Sequence, residues 1–411
     1  MNVMYPWRLL CALGAFREPC LFITPQRHVL YNGDMRTQAA VLYEMGKPRP
    51  YAASQPLVIE DLELDGPGPG EVLVEVAAAG LCHSDLSTID GSRPRPMPMV
   101  LGHEASGIVR DVGPGVVDLR TDDHVVFSFV PTCGRCQYCA RGHPALCEAG
   151  AAANSAGRLL SGGVRFRHGN QRVLHHLGVS GFSRYTVAAR ESLVRVQPEV
   201  PIHKAALFGC AVLTGMGAVN NAAKVSPGQS LAVFGLGGVG LSAVMGAKLA
   251  GAAPIIAVDL LPGKLHLART LGAHHALSPS QADVVREIVE LSDGGVDVAI
   301  EAVGSATAIA SAYACTRRGG TTVAVGLPPP DHTLTLPALS FAAQEKTLRG
   351  SYMGSAVPSR DIVRLIGLYM AGELPVDALI SSDITLEQIN TGFDRLSAGS
   401  VVRQLVRFDP L

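Results

Sequence analysis

The apolar positions along this chain change period once, near its middle. From Ala39 to about Val130 they alternate with polar ones in short runs, as in Glu71-Val-Leu-Val-Glu-Val and Gly107-Ile-Val-Arg-Asp-Val. That period of two predicts a mainly antiparallel β region beginning with a strand at Met35. Pro-Gly-Pro-Gly at 67–70 and Gly-Pro-Gly at 113–115 supply the turns. Around Ala205 the texture shifts to apolar runs separated by helical stretches. Strands are expected at Leu231 to Phe234, Ile255 to Val258, Val296 to Glu301 and Thr321 to Val325, with helices at Val239 to Ala250 and Gly263 to Leu271. This rhythm predicts βαβ units on a parallel sheet. A helix over Ser359 to Met370 and a strand near Val401 to Phe408 close the chain.

The longest uncharged run, Ser230 to Ala247, approaches the length of a membrane span. Its glycines at 235, 237, 238, 240 and 246 argue instead for a buried strand, turn and helix. With 411 residues, 47% hydrophobic and 17% charged, the chain suits a soluble enzyme of two domains. A net charge of -1 gives no electrostatic case for nucleic acid or a membrane surface. Residues 1 to 34, with Trp7, Cys11 and Cys20, show no clear period and no tidy cleavage pattern. They read as a disordered extension or a misassigned start, with Met35 the functional beginning.

Gly235-Leu-Gly237-Gly238-Val239-Gly240 sits between a strand and a helix. Gly235 permits a tight turn, Gly237 lets backbone approach a pyrophosphate, and Gly240 lets the helix pack on the strand. Asp259 ends the second strand, nineteen residues past Gly240, where a carboxylate takes the adenosine ribose and repels a 2′-phosphate. NAD is therefore expected rather than NADP. The bland alternative is a structural glycine turn with an aspartate at a strand end.

Nine cysteines are present, and four crowd into Cys133, Cys136, Cys139 and Cys147, with two, two and seven residues between them. Such clustering in a large chain favours metal binding in a reducing compartment. Four thiolates satisfy zinc tetrahedrally and leave no open position, so the site would be structural. A redox pair, an iron–sulfur cluster and a zinc knuckle are the rival readings. Elsewhere, Gly80-Leu-Cys82-His-Ser84-Asp85 and Gly102-His103-Glu104, taken with Cys210, contain a Cys₂His set. Three protein ligands leave one position open, the catalytic pattern.

These motifs, in this order, resemble the zinc-dependent medium-chain alcohol dehydrogenases, from Met35 to Phe408. The segment His175-His-Leu-Gly-Val-Ser-Gly-Phe-Ser-Arg-Tyr-Thr-Val is similar to one in the long dimeric members. The resemblance implies an α/β fold: a GroES-like mainly-β catalytic domain over 35–211 and 353–411, and a Rossmann doubly wound parallel sheet over 212–352. It implies two zinc ions per subunit. Cys82, His103 and Cys210 would hold the catalytic one, and the four clustered cysteines the structural one. Ser84 would pass the substrate proton, Asp85 would orient His103, and Glu104 would sit behind the metal. Thr214 would lie near the nicotinamide, His83 and Arg403 against the pyrophosphate, and Lys264 beside the adenosine ribose with Asp259. The expected activity is reversible oxidation of a primary or simple secondary alcohol, with hydride passing to NAD+, in a cytoplasmic homodimer.

Two departures from the family pattern stand out. Ser87 occupies the position where the proton relay often ends on a histidine. Arg93 and Ala151 replace the acidic residue and the arginine by which the glutathione-dependent formaldehyde branch grips its substrate, which ranks that branch second. Phe129, Leu177 and Leu327 would line an apolar pocket with Arg93 at its mouth. A zinc-less reductase and a non-catalytic scaffold binding zinc and NAD are the other rivals, against which the full ligand set argues.

Overall fold

The structure is a computed structural model and describes residues 35–279 and 283–408. The sequence readings for 1–34, Trp7, Cys11 and Cys20 included, fall outside the described residues. Within them the strands form three sheets. Met35–Leu42 pairs antiparallel with Leu57–Leu64 over its whole length, Met35 opposite Leu64 and Leu42 opposite Leu57. Phe166–His168, Gln171–His175 and Met99–Val100 close these two strands into a small barrel. Its apolar faces bury Val41, Leu62, Phe166 and Val173.

The second sheet builds the site. Glu71–Gly80 runs through its centre, paired antiparallel with Ala105–Val112, with Tyr185–Ala189 and with Arg403–Arg407. The last of these strands comes from the far end of the chain, yet Leu405 lies opposite Gly80 and the Leu81 N–H donates to the Gln404 carbonyl at 3.0 Å. That register sets Cys82, two residues past one strand, beside Arg403, at the start of the other.

The third sheet is parallel throughout, in the order His275–Leu277, Ile255–Val258, Leu231–Phe234, Val296–Glu301, Thr316–Ala324 and Thr347–Gly350. Its central strands Leu231–Phe234 and Ile255–Val258 are buried along their whole length, as strands covered on both faces are. The uncharged run resolves into the buried strand Leu231–Phe234 and the helix Gly238–Leu249. Thr316–Ala324 begins five residues before the apolar run at Thr321, since an irregularity pairs Val296 with Thr316 and Val298 with Thr321. Among the described residues no single helix is long and apolar enough to cross a membrane. One bent pair, Ile202–Gly209 with Ala211–Ala223, passes on length and composition, but Leu207, Phe208, Val212 and Leu213 in it are fully buried in the core.

Two close approaches fix the helices around the glycine loop. A Cβ at Gly240 would overlap the carbonyl oxygen of Gly235, and one at Gly215 would overlap that of Val239. The helix Ala211–Gly217 therefore lies directly on the first turn of Gly238–Leu249, backbone against backbone. Gly240→Ala should drive helix from strand, lowering stability by about 1–3 kcal/mol and weakening nucleotide affinity. Thermal melting and nucleotide titration check this; an unshifted melting curve with native affinity would contradict it.

Candidate metal and nucleotide site

Three segments deliver the metal donors. Cys82 precedes the helix His83–Ile89, His103 follows Met99–Val100, and Cys210 precedes Ala211–Gly217. All three side chains are buried, and their ligand atoms lie within 4.8 Å of one another. The Cys210 sulfur is 3.4 Å from His103 Nε2. The hydrogen bond between the two thiols holds Cys82 well below its ordinary value and raises Cys210 well above it. Two soft sulfurs and an imidazole within 4.8 Å of one another could hold zinc and leave one position open.

Asp85 fixes the imidazole. Its Oδ1 lies 3.0 Å from His103 Nδ1 and 3.2 Å from His176 Nδ1, and it accepts the Gly102 N–H at 3.1 Å. Burial pushes this carboxyl up, but the two imidazoles and the hydrogen bonds outweigh it and hold Asp85 below its usual value. With Nδ1 engaged, Nε2 of His103 faces the sulfurs. Behind the donors, Glu104 is fully buried, with Oε1 3.2 Å from Arg403 Nε and Oε2 accepting the Ala211 N–H at 3.1 Å. Burial lifts Glu104 to about 7 despite Arg403. Arg403 also reaches the Cys82 sulfur, at 3.5 Å.

The glycine loop adjoins this centre. A Cβ on Gly238 would sit 2.8 Å from the Arg403 guanidinium carbon, whereas one on Gly237 would meet nothing within 4 Å. Gly237 thus faces open space at the N-terminus of a twelve-residue helix with no side-chain cap, a ready phosphate cradle. Val239 is half-buried in its first turn. Asp259 is pinned just past the end of the strand Ile255–Val258: Oδ2 accepts the Leu236 N–H at 2.7 Å and Oδ1 that of Leu261 at 3.0 Å. The buried Thr214 hydroxyl has no protein partner, as a group awaiting a ligand amide would. His83 is solvent-accessible. The protein mass around it lowers its imidazole against the pull of Cys82, and Arg403, Lys264 and Arg49 lower it further. Three cations, Arg403, Lys264 and Arg49, therefore act together at His83, and Arg403 also lies against Gly238 of the glycine loop. Ser84 is half-buried one residue on, and Ser87 half-buried on the same helix.

The four clustered cysteines also come together. Their sulfurs lie within 4.8 Å of one another and none is in a disulfide. Four sulfurs at about 2.3 Å from one ion stand about 3.8 Å apart. Backbone N–H groups of Cys133 and Gly150 donate to the Cys147 sulfur at 3.3 and 3.4 Å, the support that thiolates need.

The sequence reading missed four neighbours: His176 on Asp85, Arg49 beside His83, and Arg95 and Tyr352 near the donors. The His175–His176 doublet was a signal in plain view. Tyr352 had none. Phe129 stacks edge-on to His103 at 5.6 Å, Leu177 is buried, and Leu327 is 47% exposed.

Comparison with known proteins agrees with this geometry. Residues 68–198 match the alcohol dehydrogenase GroES-like domain, and residues 238–370 match the zinc-binding dehydrogenase family. The NDMA-dependent alcohol dehydrogenase of Amycolatopsis methanolica is 40% identical over 376 residues, 90% of this chain and 99% of that one. The S-(hydroxymethyl)glutathione dehydrogenase of Synechocystis sp. is 36% identical, over 91% of this chain and all of that one. The crystal structure of benzyl alcohol dehydrogenase from Acinetobacter calcoaceticus superposes with a TM-score of 0.85 at 34% identity, covering 91% of this chain and all of that one. The chain belongs to the zinc-dependent medium-chain alcohol dehydrogenase family, and it is an oxidoreductase. Its fold is the GroES-like sheet domain with a parallel Rossmann sheet that the sequence implied.

Asp85→Asn should free both imidazoles and weaken metal retention at the Cys82 centre by about 10–100-fold. Competition with a graded chelator measures this. Unchanged retention would mean that Asp85 does not orient His103.

Proposed function

We propose that this enzyme oxidises a primary or simple secondary alcohol to the aldehyde or ketone with NAD+, using a catalytic zinc on Cys82, His103 and Cys210. The convergence of those three buried donors beside the glycine loop carries the reading. When bound, zinc polarises the alcohol oxygen and the nicotinamide accepts the hydride. The protein's own groups do the rest. Ser84, next to the donors and half-buried, takes the hydroxyl proton. Ser87 offers no imidazole, so the proton leaves through water. Asp85 holds His103 in one orientation, and Glu104 with Arg403 balances charge behind the sulfurs. Gly235, Gly237, Gly238, Val239 and Gly240 cradle the pyrophosphate with His83 and Arg403. Thr214 takes the carboxamide. Asp259 and Lys264 take the adenosine ribose. Phe129 and Leu177 exclude water from the reacting carbon.

A second zinc on Cys133, Cys136, Cys139 and Cys147 is structural. Free thiols in such a set suit a cytoplasmic setting. The edge strand Thr347–Gly350 and exposed Leu339 and Phe341 fit pairing into a homodimer. A second reading, S-(hydroxymethyl)glutathione as substrate, has the Synechocystis relative in its favour and Arg93 and Ala151 against it.

Atomic emission on purified enzyme should find two zinc ions per chain. Cys210→Ser should remove one and abolish turnover. Cys136→Ser should remove the other and lower the melting temperature. A single ion would refute one centre. With benzyl alcohol, reduced nicotinamide should accumulate, and kcat/KM should favour NAD+ over NADP+ by on the order of 100-fold, since like charges set together cost several kcal/mol. Equal use of both would remove Asp259 from the argument. No turnover by fully metallated enzyme on any alcohol would favour the scaffold.

A further inference from the structure

Beside the glycine loop stands a buried carboxylate that neither the metal nor the pyrophosphate reading employs. In the parallel sheet the strand Leu231–Phe234 has Ile255–Val258 on one side and Val296–Glu301 on the other, so the order of winding reverses at it. Sheets of this kind take ligands in the crevice beyond the carboxyl ends of the strands at that point. Glu301 ends its strand opposite Phe234 and is wholly buried. Its Oε1 accepts the N–H of Val303 at 2.7 Å and that of Gly304 at 2.5 Å. Two successive N–H groups turned onto one oxygen form an anion nest, filled here by the protein's own carboxylate. The main-chain carbonyl of Glu301 accepts the N–H of Val325 at 2.9 Å and of Gly326 at 3.1 Å. One residue thus holds two loops, 302–304 by its side chain and 325–327 by its backbone.

These loops and the glycine loop meet backbone to backbone. The Ala302 N–H donates to the Phe234 carbonyl at 2.8 Å, one residue before Gly235. A Cβ on Gly235 would lie 3.0 Å from the Val303 nitrogen, and one on Gly326 would overlap the Gly304 nitrogen and lie 3.0 Å from Glu301 Oε1. Core packing does not hold the outer loops, since Val303 is 57% exposed and Leu327 47%. Burial pushes the Glu301 carboxyl up, and the N–H groups of Gly304, Val303, Ser305 and Gly326 pull it back. A carboxylate kept out of water is unfavourable unless such donors meet it, and here those donors are the loop itself. We propose that Glu301 is a positioning residue for the nucleotide: from inside the sheet it fixes 302–304 against Gly235 and, through Gly326, against 325–327, so that three loops at the crevice form one wall. The inference rests on the nicotinamide nucleotide reading and deepens it by naming what holds the cradle rigid. Glu301 acts through loop backbone and not by touching the ligand.

The test uses the zinc-loaded enzyme, with NADH as the probe, in fluorescence titration, hydrogen exchange and steady-state kinetics. In the unaltered enzyme NADH should slow amide exchange in 302–304 and 325–327 together with the glycine loop. Glu301→Gln keeps the shape but offers the two N–H groups a neutral acceptor. It should raise the Kd for NADH and the KM for NAD+ by on the order of tenfold and speed exchange in both loops. It should leave zinc content and the KM for benzyl alcohol unchanged, and it should not lower kcat, because the chemistry does not pass through this residue. Glu301→Asp keeps the charge but withdraws it from the N–H groups, and should bind NADH no better than Glu301→Gln. Native NADH affinity in Glu301→Gln would overturn the proposal. Parallel loss of nucleotide affinity, alcohol affinity and zinc would also overturn it, making Glu301 a residue that merely holds the fold. Protection by NADH confined to the glycine loop of the unaltered enzyme would overturn it whether or not the variants fold. An unaltered enzyme that binds no nicotinamide nucleotide would instead remove the reading on which the proposal rests.

Discussion

One imbalance of charge governs the centre of this protein. Asp85, His103, His176, Glu104 and Arg403 are almost wholly withdrawn from water, with two thiols among them. Apolar packing cannot hold such groups; they persist only if each finds an opposite charge or a hydrogen bond. Carboxylate meets imidazole on one side, and carboxyl meets guanidinium on the other. The two sulfurs stand with the His103 imidazole, all three within 4.8 Å of one another, a donor set suited to a dication. The pairing of Gly80 with Leu405 sustains this arrangement, because it brings the start of the last strand to the end of the central one. The barrel, the bulged strands and the helix packing keep that register from slipping.

Much of the architecture was legible because short-range physics writes itself into sequence. The glycine loop shows as Gly235, Gly237 and Gly240 at fixed offsets, since backbone must come within contact distance there. The cysteine lobe shows because one ion gathers ligands from a single loop. The change from alternating to βαβ texture separated the sheet types; the expected elements shifted at their ends, as at Thr316, and the short edge strands His275–Leu277 and Thr347–Gly350 gave too little apolar pattern to be read.

The rest depended on distance in the chain. Cys82, His103 and Cys210 are joined by folding alone, and a resemblance, not spacing, grouped them beforehand. Arg49 and Arg95 look like ordinary surface cations in the sequence, because their meaning lies in what stands opposite them. Tyr352 gives no hint at all; it lies more than 200 residues past Phe129, against which its ring rests. The contact of Arg93 with Leu327 was equally hidden, because it is made to the backbone carbonyl, which any residue would offer.

The short helix Ala211–Gly217 has a mechanical consequence. Cys210 heads it and Thr214 lies one turn on, so the proposed metal ligand and the proposed nicotinamide contact are separated by about 6 Å of rise along one rigid rod. Gly215 presses that rod onto the nucleotide-binding helix, and Gly217 presses it onto Gly354. Because Cys82 and His103 sit beside the antiparallel sheet, that rod ties the donor set to the nucleotide helix, and any relative motion of the two lobes would be felt first as a change in the spacing of the three donors.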